Sequence, residues 1–261
     1  MDNLKKNKDL IVYLSKNDLK TKFAGSYLGI IWAFVQPIVT ILLYWFVFQV
    51  GLRSQSVSNV PFVMWLMAGL IPWFFFQESM VNATNCFSEY SYLVKKVVFN
   101  IDILPIVKII SSLWIHIFFV FVLIAIYAVA GLMPGVITIQ LLYYSICMIV
   151  LVISLSYLTS AIAVFFKDTV QIVNILMQIG VWMTPILWNI DTIRINEKLI
   201  MLLKLNPMYY IVQGYRTTLI QGIGFWELRG LTVYFWIVTI IVFLVGQTVY
   251  KKLKPHFADS L

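Results

Sequence analysis

Charged residues make up only 11% of this chain of 261 residues, and nearly all of them lie outside six long apolar stretches. Ion-coupled transporters need ionisable groups at membrane depth, because a buried charge is costly and is kept only for use. Glu78 and Lys108 fall near stretch ends, and His116 stands among apolar neighbours without a partner carboxylate, which is typical of a hydrogen-bonded structural histidine. The distribution therefore argues against an ion-coupled flippase.

Groups for catalysis are equally scarce. The chain has two histidines and no clustered carboxylates, so we expect no catalytic, cofactor-binding or metal site on it. A glycine-rich phosphate loop ending in Lys-Ser/Thr is missing too, so the chain does not bind ATP in the P-loop manner. Cys86 and Cys147 lack metal-ligand spacing, and we do not expect them to pair. Energy for uphill transport must then come from another chain.

Apolar residues are what the sequence has in excess, at 61% of the chain. A helix rises about 1.5 Å per residue and the hydrocarbon layer is about 30 Å thick, so runs of about 20 apolar residues predict membrane spans. Residues 1–22 are polar and rich in lysine, so we expect no cleavable signal peptide. The six predicted spans are 27–50, 61–81, 104–130, 137–166, 170–187 and 231–250.

Basic residues predict the orientation, because lysine and arginine near span ends are retained on the cytoplasmic side. With both termini in the cytoplasm, the inner segments hold most of the lysines. The outer loop 188–230 also has five basic residues, but its length weakens the rule there. The net charge of +8 either marks this topology or attracts anionic headgroups, and no nucleic-acid-binding module is recognisable.

We predict one transmembrane domain over 1–261, with a cytoplasmic leader over 1–26, a six-span bundle over 27–250 and a cytoplasmic tail over 251–261. Within the leader, residues 8–23 predict a helix that lies on the inner membrane surface or is solvated, with Leu10, Ile11 and Leu14 on one face. Gly25 and Gly29 flank a short run and predict a sharp bend before the first span.

Two segments between spans also carry short apolar patterns. Residues 82–102 place Phe87, Tyr90, Leu93 and Val94 at helical spacing, which predicts either a docking site for a cytosolic partner or packing on the chain's own neighbours. After Pro185, which ends the fifth apolar run, 197–204 and 208–220 predict short outer helices. These form a lid over an exit or cap the bundle.

Aromatic residues crowd the first two spans. Interfacial belts explain many tryptophans and tyrosines in membrane proteins. Sugar rings also stack on aromatic faces, so we hypothesise that some of these side chains line a path for a polymer. The candidate channel aromatics are Trp32, Phe34, Trp73 and Phe74.

Five motifs in order carry a resemblance over essentially the whole chain. They are YLGIIWAFVQP at 27–37, IPWFFF at 71–76, FFKDT at 165–169, TPILW at 184–188 and NPMYY at 206–210. The chain resembles the membrane-spanning permeases of ATP-binding-cassette exporters that move undecaprenyl-diphosphate-linked polymers. The stretches 44–48 and 256–261 resemble the wall teichoic acid branch of that family.

The resemblance implies a role for each segment. The substrate headgroup would enter at Leu28 and Gly29, and a coupling helix over 85–99 would dock on the ATPase subunit. The coupling residues are Glu89, Tyr90, Tyr92, Leu93 and Lys95, and the outer gate residues are Pro185, Pro207, Tyr209 and Arg216.

The resemblance also implies an assembly: an all-α permease, not an enzyme on its own, that forms a homodimer with two ATPase chains, which would hold ATP and magnesium. We expect it in the bacterial plasma membrane, exporting a lipid-linked polymer, with teichoic acid favoured. The alternatives are an O-antigen or capsular polysaccharide exporter of the same architecture and, more remotely, a membrane enzyme of polyprenyl-linked sugars or an ion-coupled flippase.

Overall fold

The structure is a computed structural model that describes residues 2–53, 56–57, 60–95, 100–132, 135–190 and 196–260, with the side chains of 2–7 excepted. Within these ranges the chain is helical, and its only extended pairing is an isolated bridge between Val57 and Val60. The predicted all-α class is confirmed. Residues 96–99 of the predicted coupling segment lie outside the described residues.

The helices, numbered in chain order, are α1 (Asp2–Lys22), α2 (Trp32–Trp45), α3 (Phe62–Thr84), α4 (Cys86–Glu89), α5 (Ser91–Val94), α6 (Leu104–Val129), α7 (Gln140–Phe165), α8 (Asp168–Met183), α9 (Glu197–Lys204), α10 (Pro207–Arg216), α11 (Arg229–Leu253) and α12 (Phe257–Ser260). A π-helical turn extends α2 over Phe46–Gly51, and another extends α10 over Thr217–Gln221.

Helix α3 lies at the centre of the bundle, where it contacts α2, α6, α7, α8 and α10. Most of its residues are buried, including Trp65, Leu66, Leu70 and Phe75. Helices α7 and α11 pack closely at Gly246, because a Cβ atom there would lie 2.7 Å from the carbonyl oxygen of Ser154. Small residues at such crossings let membrane helices approach closely.

Four of the predicted spans are confirmed as helices long and apolar enough to cross a bilayer: Gly29–Gly51, Ile101–Val129, Gly135–Phe165 and Arg229–Ser260. The other two stay predictions. Helix α8 has 16 residues, about 24 Å at the usual rise. Helix α3 has 23 residues, but its second half carries Gln77, Glu78 and Asn82. The six-span count is therefore not confirmed.

Local signals placed several of the breaks between helices correctly. Gly25 and Gly29 have φ values of 89° and 52°, the left-handed region that glycine adopts without strain. Helix α8 ends directly before Thr184 and Pro185, and α9 begins and ends where the outer segment predicted a short helix. Leader helix α1 is confirmed as a helix and packs against α6. Its most buried side chains are Ser15 and Asp18, and Leu10 is exposed.

Candidate functional site

A groove of about 410 Å³ opens between α2, α3 and α8, beside the end of α1. The described residues that line it are Lys22, Phe23, Ala33, Gln36, Pro37, Thr40, Tyr44, Leu70, Trp73, Phe74, Gln77, Glu78, Val81, Asn82, Asn174 and Val181. Its volume is that of a pocket for a small ligand. The groove is therefore the candidate binding site of one chain.

Amide side chains from three helices meet in this groove. Gln36 and Thr40 stand four residues apart on α2, so they share a face of that helix. Gln77 accepts a hydrogen bond from Trp73 Nε1 at 3.2 Å, and Asn174 donates to the Val170 carbonyl at 3.1 Å. Each amide has two donors and one acceptor oxygen, so groups fixed in this way can still bind a ligand.

The fourth amide of the wall, Asn82, donates to Ser112 Oγ at 3.4 Å and so lies between α3 and α6. Neutral amides next to aromatic rings suit a polyhydroxylated ligand, because sugar hydroxyls both donate and accept and sugar C–H groups pack on rings. The sequence reasoning missed these amides. The signal that could have found them is glutamine or asparagine inside an apolar run, where a polar group needs a partner.

The four predicted channel aromatics have different surroundings. Trp73 and Phe74 line the groove. Phe34 packs instead against α6, with its ring centroid 4.6 Å from that of Phe118. Trp32 is exposed at the start of α2 and is not among the described lining residues. The structure thus brings two of the four together.

Trp73 fits between α3 and α8 at the groove wall because the α8 residue opposite its ring, Gly180, has no side chain. A Cβ atom on Gly180 would lie 2.6 Å from Cη2 of Trp73. The indole is only 2% exposed, so it contributes an edge to the groove while its body packs between helices. Gly180 therefore sets the spacing between α8 and this wall.

The predicted point where the headgroup enters is an exposed turn. The Gly29 N–H donates to Ser26 Oγ at 3.0 Å, which closes the turn before α2. Leu28 is exposed there. At the end of α1, before this turn, Lys22 pairs with Glu78 of α3 at 2.5 Å. This ion pair lies in the groove lining.

A second polar cluster joins the predicted coupling segment to α1 and α6. Lys108 of α6 is buried and pairs with Asp18 of α1 at 2.5 Å and with Glu89 of α4. The Tyr90 hydroxyl donates to Asp18 Oδ1 at 2.8 Å. Burial raises the pKa of Tyr90 well above its ordinary value, so its hydroxyl stays protonated as a donor.

The coupling segment is not the single uncovered helix that its apolar spacing predicted. It breaks at Tyr90 into two one-turn helices, α4 and α5. Phe87 and Val94 are buried in an intramolecular cluster, where Phe87 contacts the rings of Tyr250 and Phe257 at centroid distances of 6.1 and 4.9 Å. The alternative, packing on the chain's own neighbours, is thus correct for these two side chains.

The remaining coupling residues lie at the surface of this segment. Tyr92 and Lys95 are exposed, and Leu93 is half-buried beside the cluster. The side chain of Glu89 is 43% exposed even though it pairs with Lys108. A docking partner would therefore meet a polar and aromatic surface here.

The predicted outer gate is built around a buried arginine. Arg216 donates from Nη1 to the Pro185 carbonyl at 2.6 Å and from Nη2 to the Ile186 carbonyl at 2.8 Å. Its guanidinium carbon lies 3.4 Å from the ring centroid of Trp65 on α3. These contacts join α10 to α3 and to the segment after α8 through the helix-terminating Pro185.

Pro207 and Tyr209 belong to the same outer structure. Pro207 occupies the first turn of α10, where its missing N–H leaves no unpaired donor. The Asn206 side chain accepts from the Met208 N–H at 3.0 Å and donates to Thr184 Oγ1 at 2.7 Å. Tyr209 is buried, with its hydroxyl 3.3 Å from Gln213 Nε2.

His116 is a hydrogen-bonded structural histidine, as its apolar surroundings indicated. Its Nε2 lies 3.3 Å from Ser145 Oγ and 3.2 Å from the Tyr215 hydroxyl. Cys86 and Cys147 are both buried and unpaired with each other. Among the described residues, no group of three histidine, cysteine or carboxylate side chains is placed to hold a metal ion.

Comparison with known proteins gives two consistent results. The sequence model of the family described as "ABC-2 type transporter" matches residues 9–220. The "O-antigen export system permease protein RfbA" of Klebsiella pneumoniae is 26% identical over 254 residues, covering 97% of this chain and 95% of that protein. The protein of the same name from Myxococcus xanthus is 26% identical over 268 residues, with the same coverage.

Proposed function

Because the chain belongs to the ABC-2 type transporter family, we propose that it is the membrane-spanning subunit of an ATP-driven exporter of a lipid-linked polysaccharide. Membership of a transporter family also means that the chain is embedded in a membrane and is not an enzyme on its own, which confirms that part of the sequence analysis. The remaining elements of the proposal rest on the groove and on the relatives.

The substrate class is carried by one observation, the groove wall of amides and aromatic edges between α2, α3 and α8. Such a wall offers hydrogen bonds and stacking to sugar residues without a fixed excess charge. The relatives, named for O-antigen export, favour the polysaccharide alternative over teichoic acid, which receives no support from them. The proposed substrate is therefore an O-antigen-type polysaccharide linked to a polyprenyl diphosphate.

The energy source is a separate ATPase chain that binds ATP and magnesium, as the resemblance implies. Its docking surface is the exposed side of α4 and α5, with Tyr92 and Lys95. Lys108 links α4 to α1 and α6, which supports this assignment, because a movement imposed on α4 by the ATPase would also displace those two helices.

A homodimer in the bacterial plasma membrane completes the proposal, with six spans per chain and both termini in the cytoplasm. One groove of about 410 Å³ is too small for a polymer passage. Helices α2 and α8, which flank its opening, present outward apolar side chains that a second copy or lipid would cover; these are Ile38, Val39, Leu42, Leu43, Phe46, Ile172, Ile175, Leu176 and Ile179. Two grooves facing across a two-fold axis would form a continuous path.

Reconstitution tests this proposal. The chain and its cognate ATPase are placed in proteoliposomes, and ATP hydrolysis is measured with lipid-linked O-polysaccharide or with a lipid-linked teichoic acid precursor. We expect stimulation by the polysaccharide, lost in Gln77→Leu within the groove and kept in Gln171→Leu on the exposed side of α8. Stimulation by the teichoic acid precursor alone would overturn the assignment of a polysaccharide substrate. Failure to bind any ATPase would overturn the assignment as an ATP-driven exporter.

A further inference from the structure

The groove contains one exchangeable ion pair. Of the described residues that line it, only Lys22 and Glu78 carry charge. Their side chains are 35% and 26% exposed, so both are accessible to solvent and to a ligand. A surface pair of this kind contributes little to folding stability, because solvent screens it. The pair is therefore free to exchange partners at small cost.

The chemistry of Lys22 leaves room for a second partner. Its ammonium group has three N–H donors, and one of them is directed at Glu78 Oε1, 2.5 Å from Nζ. The amides of the wall are neutral; they are Gln36, Gln77, Asn82 and Asn174. An anionic group in the groove would thus find its cation at Lys22, and it would be repelled by the carboxylate of Glu78.

We propose that Lys22 binds the diphosphate of the glycolipid substrate and that Glu78 is the counter-ion it holds when the groove is empty. The first sugar would then lie against the amide and aromatic wall, beyond the ion pair. This inference rests on the proposed function, since it assigns part of the same groove to the headgroup. Lys22 lies three residues before the Gly25–Gly29 turn that leads into α2, and Glu78 faces it from α3.

Binding measurements on the full chain in phosphatidylcholine nanodiscs test the assignment. The probes are undecaprenyl diphosphate, undecaprenol and inorganic pyrophosphate, with phosphatidylglycerol discs as a further arm. We expect Lys22→Gln to weaken binding of undecaprenyl diphosphate about tenfold, the effect of losing one charge-assisted hydrogen bond, and to leave undecaprenol unchanged. Glu78→Gln removes the competing carboxylate and should bind the diphosphate lipid more tightly than the wild type.

Lys20→Gln is the matched control, because it removes the same charge from an exposed position on the same helix outside the described lining. Equal binding by the Lys22 and Lys20 variants would overturn the assignment, as would a wild type that binds undecaprenol as tightly as the diphosphate lipid. Tighter binding of free pyrophosphate, or abolition of binding by phosphatidylglycerol, would overturn the lipid headgroup as the ligand. The opposite signs expected at Lys22 and Glu78 distinguish the site from a general loss of folding.

An export assay with the ATPase separates the two levels of inference. If the wild-type complex exports polysaccharide while Lys22→Gln binds and exports normally, the headgroup site is wrong and the proposed function stands. If the wild-type complex neither exports polysaccharide nor binds any diphosphate lipid, the proposed function itself fails.

Discussion

Replacement of Lys108 by methionine tests whether the coupling segment is held by charge. The change keeps an unbranched apolar side chain out to Cε and removes the ammonium group that pairs with Asp18 and Glu89. Asp18 has a side chain only 7% exposed, so its carboxylate would be left buried with the Tyr90 hydroxyl as its remaining donor.

The expected loss of stability in Lys108→Met follows from how deeply Asp18 and Glu89 are buried. Removing one member of a buried ion pair typically costs about 3–5 kcal/mol. The Tyr90 hydrogen bond places Lys108→Met toward the lower end, about 3 kcal/mol. The lost pair with Glu89 adds little to this loss of stability, because the Glu89 side chain is 43% exposed and its carboxylate can be solvated by water. Adding Asp18→Asn removes the stranded charge and should recover most of the loss, leaving a deficit of about 1 kcal/mol.

Cys86 provides the assay, because it lies at the start of α4, fully buried. Burial raises the pKa of its thiol, so a thiol-reactive dye labels it only when the segment opens. In a Cys147→Ala background, Lys108→Met should label faster and at lower temperature than the parent, and the double variant should be close to the parent. Unchanged labelling in Lys108→Met, or no recovery in the double variant, would refute the reasoning.

Three further predictions concern other contacts. Gly180→Ala places a methyl group against Trp73, whose ring must shift and so alter the groove wall; we expect a stability loss of about 1–3 kcal/mol and reduced substrate-stimulated ATP hydrolysis, with ATPase binding unchanged on affinity capture. Arg216→Met removes the hydrogen-bond donors to the Pro185 and Ile186 carbonyls. It should lower the melting temperature and raise protease cleavage between α8 and α10, and unchanged cleavage would contradict the role of Arg216 in holding this segment. Tyr92→Ala should uncouple ATP hydrolysis from export. Phe257→Ala removes one ring from the buried cluster and should lower the stability measured by thermal unfolding by about 3–5 kcal/mol. Equal stability losses in the two variants would contradict the assignment of Tyr92 to the docking surface and Phe257 to the core.

Hydropathy and turn chemistry predicted the helices because both are local properties. Four of the apolar runs are helices long and apolar enough to cross a bilayer, and Pro185 and the Gly25–Gly29 pair mark two chain breaks. Helix α3 shows where the local signal misleads. Its aromatic-rich sequence resembles a membrane-facing belt, but packing against neighbouring helices on several sides buries Trp65, Trp73 and Phe75.

Long-range pairing explains what the sequence could not predict. Lys108 pairs with Asp18 of the leader helix across 90 residues of sequence, so neither residue's local sequence indicates its partner. The groove likewise combines amides from three helices whose relative rotation is decided by core packing. The spacing of Phe87 left docking and internal packing as alternatives, because its neighbours, Tyr250 and Phe257, lie at the other end of the chain.

Helix α1 connects the two polar clusters physically. Asp18, which contacts the coupling segment, and Lys22, which contacts the groove wall, are four residues apart and so lie one helical turn from each other. A helix transmits displacement along its axis because its backbone hydrogen bonds hold successive turns together. A movement of α4 that keeps Glu89 and Tyr90 attached to Lys108 and Asp18 would therefore carry Lys22 with it, away from or toward Glu78. Breaking the Asp18 contacts should leave binding of the diphosphate lipid at the groove intact but remove its response to ATP, whereas Lys22→Gln should weaken that binding itself.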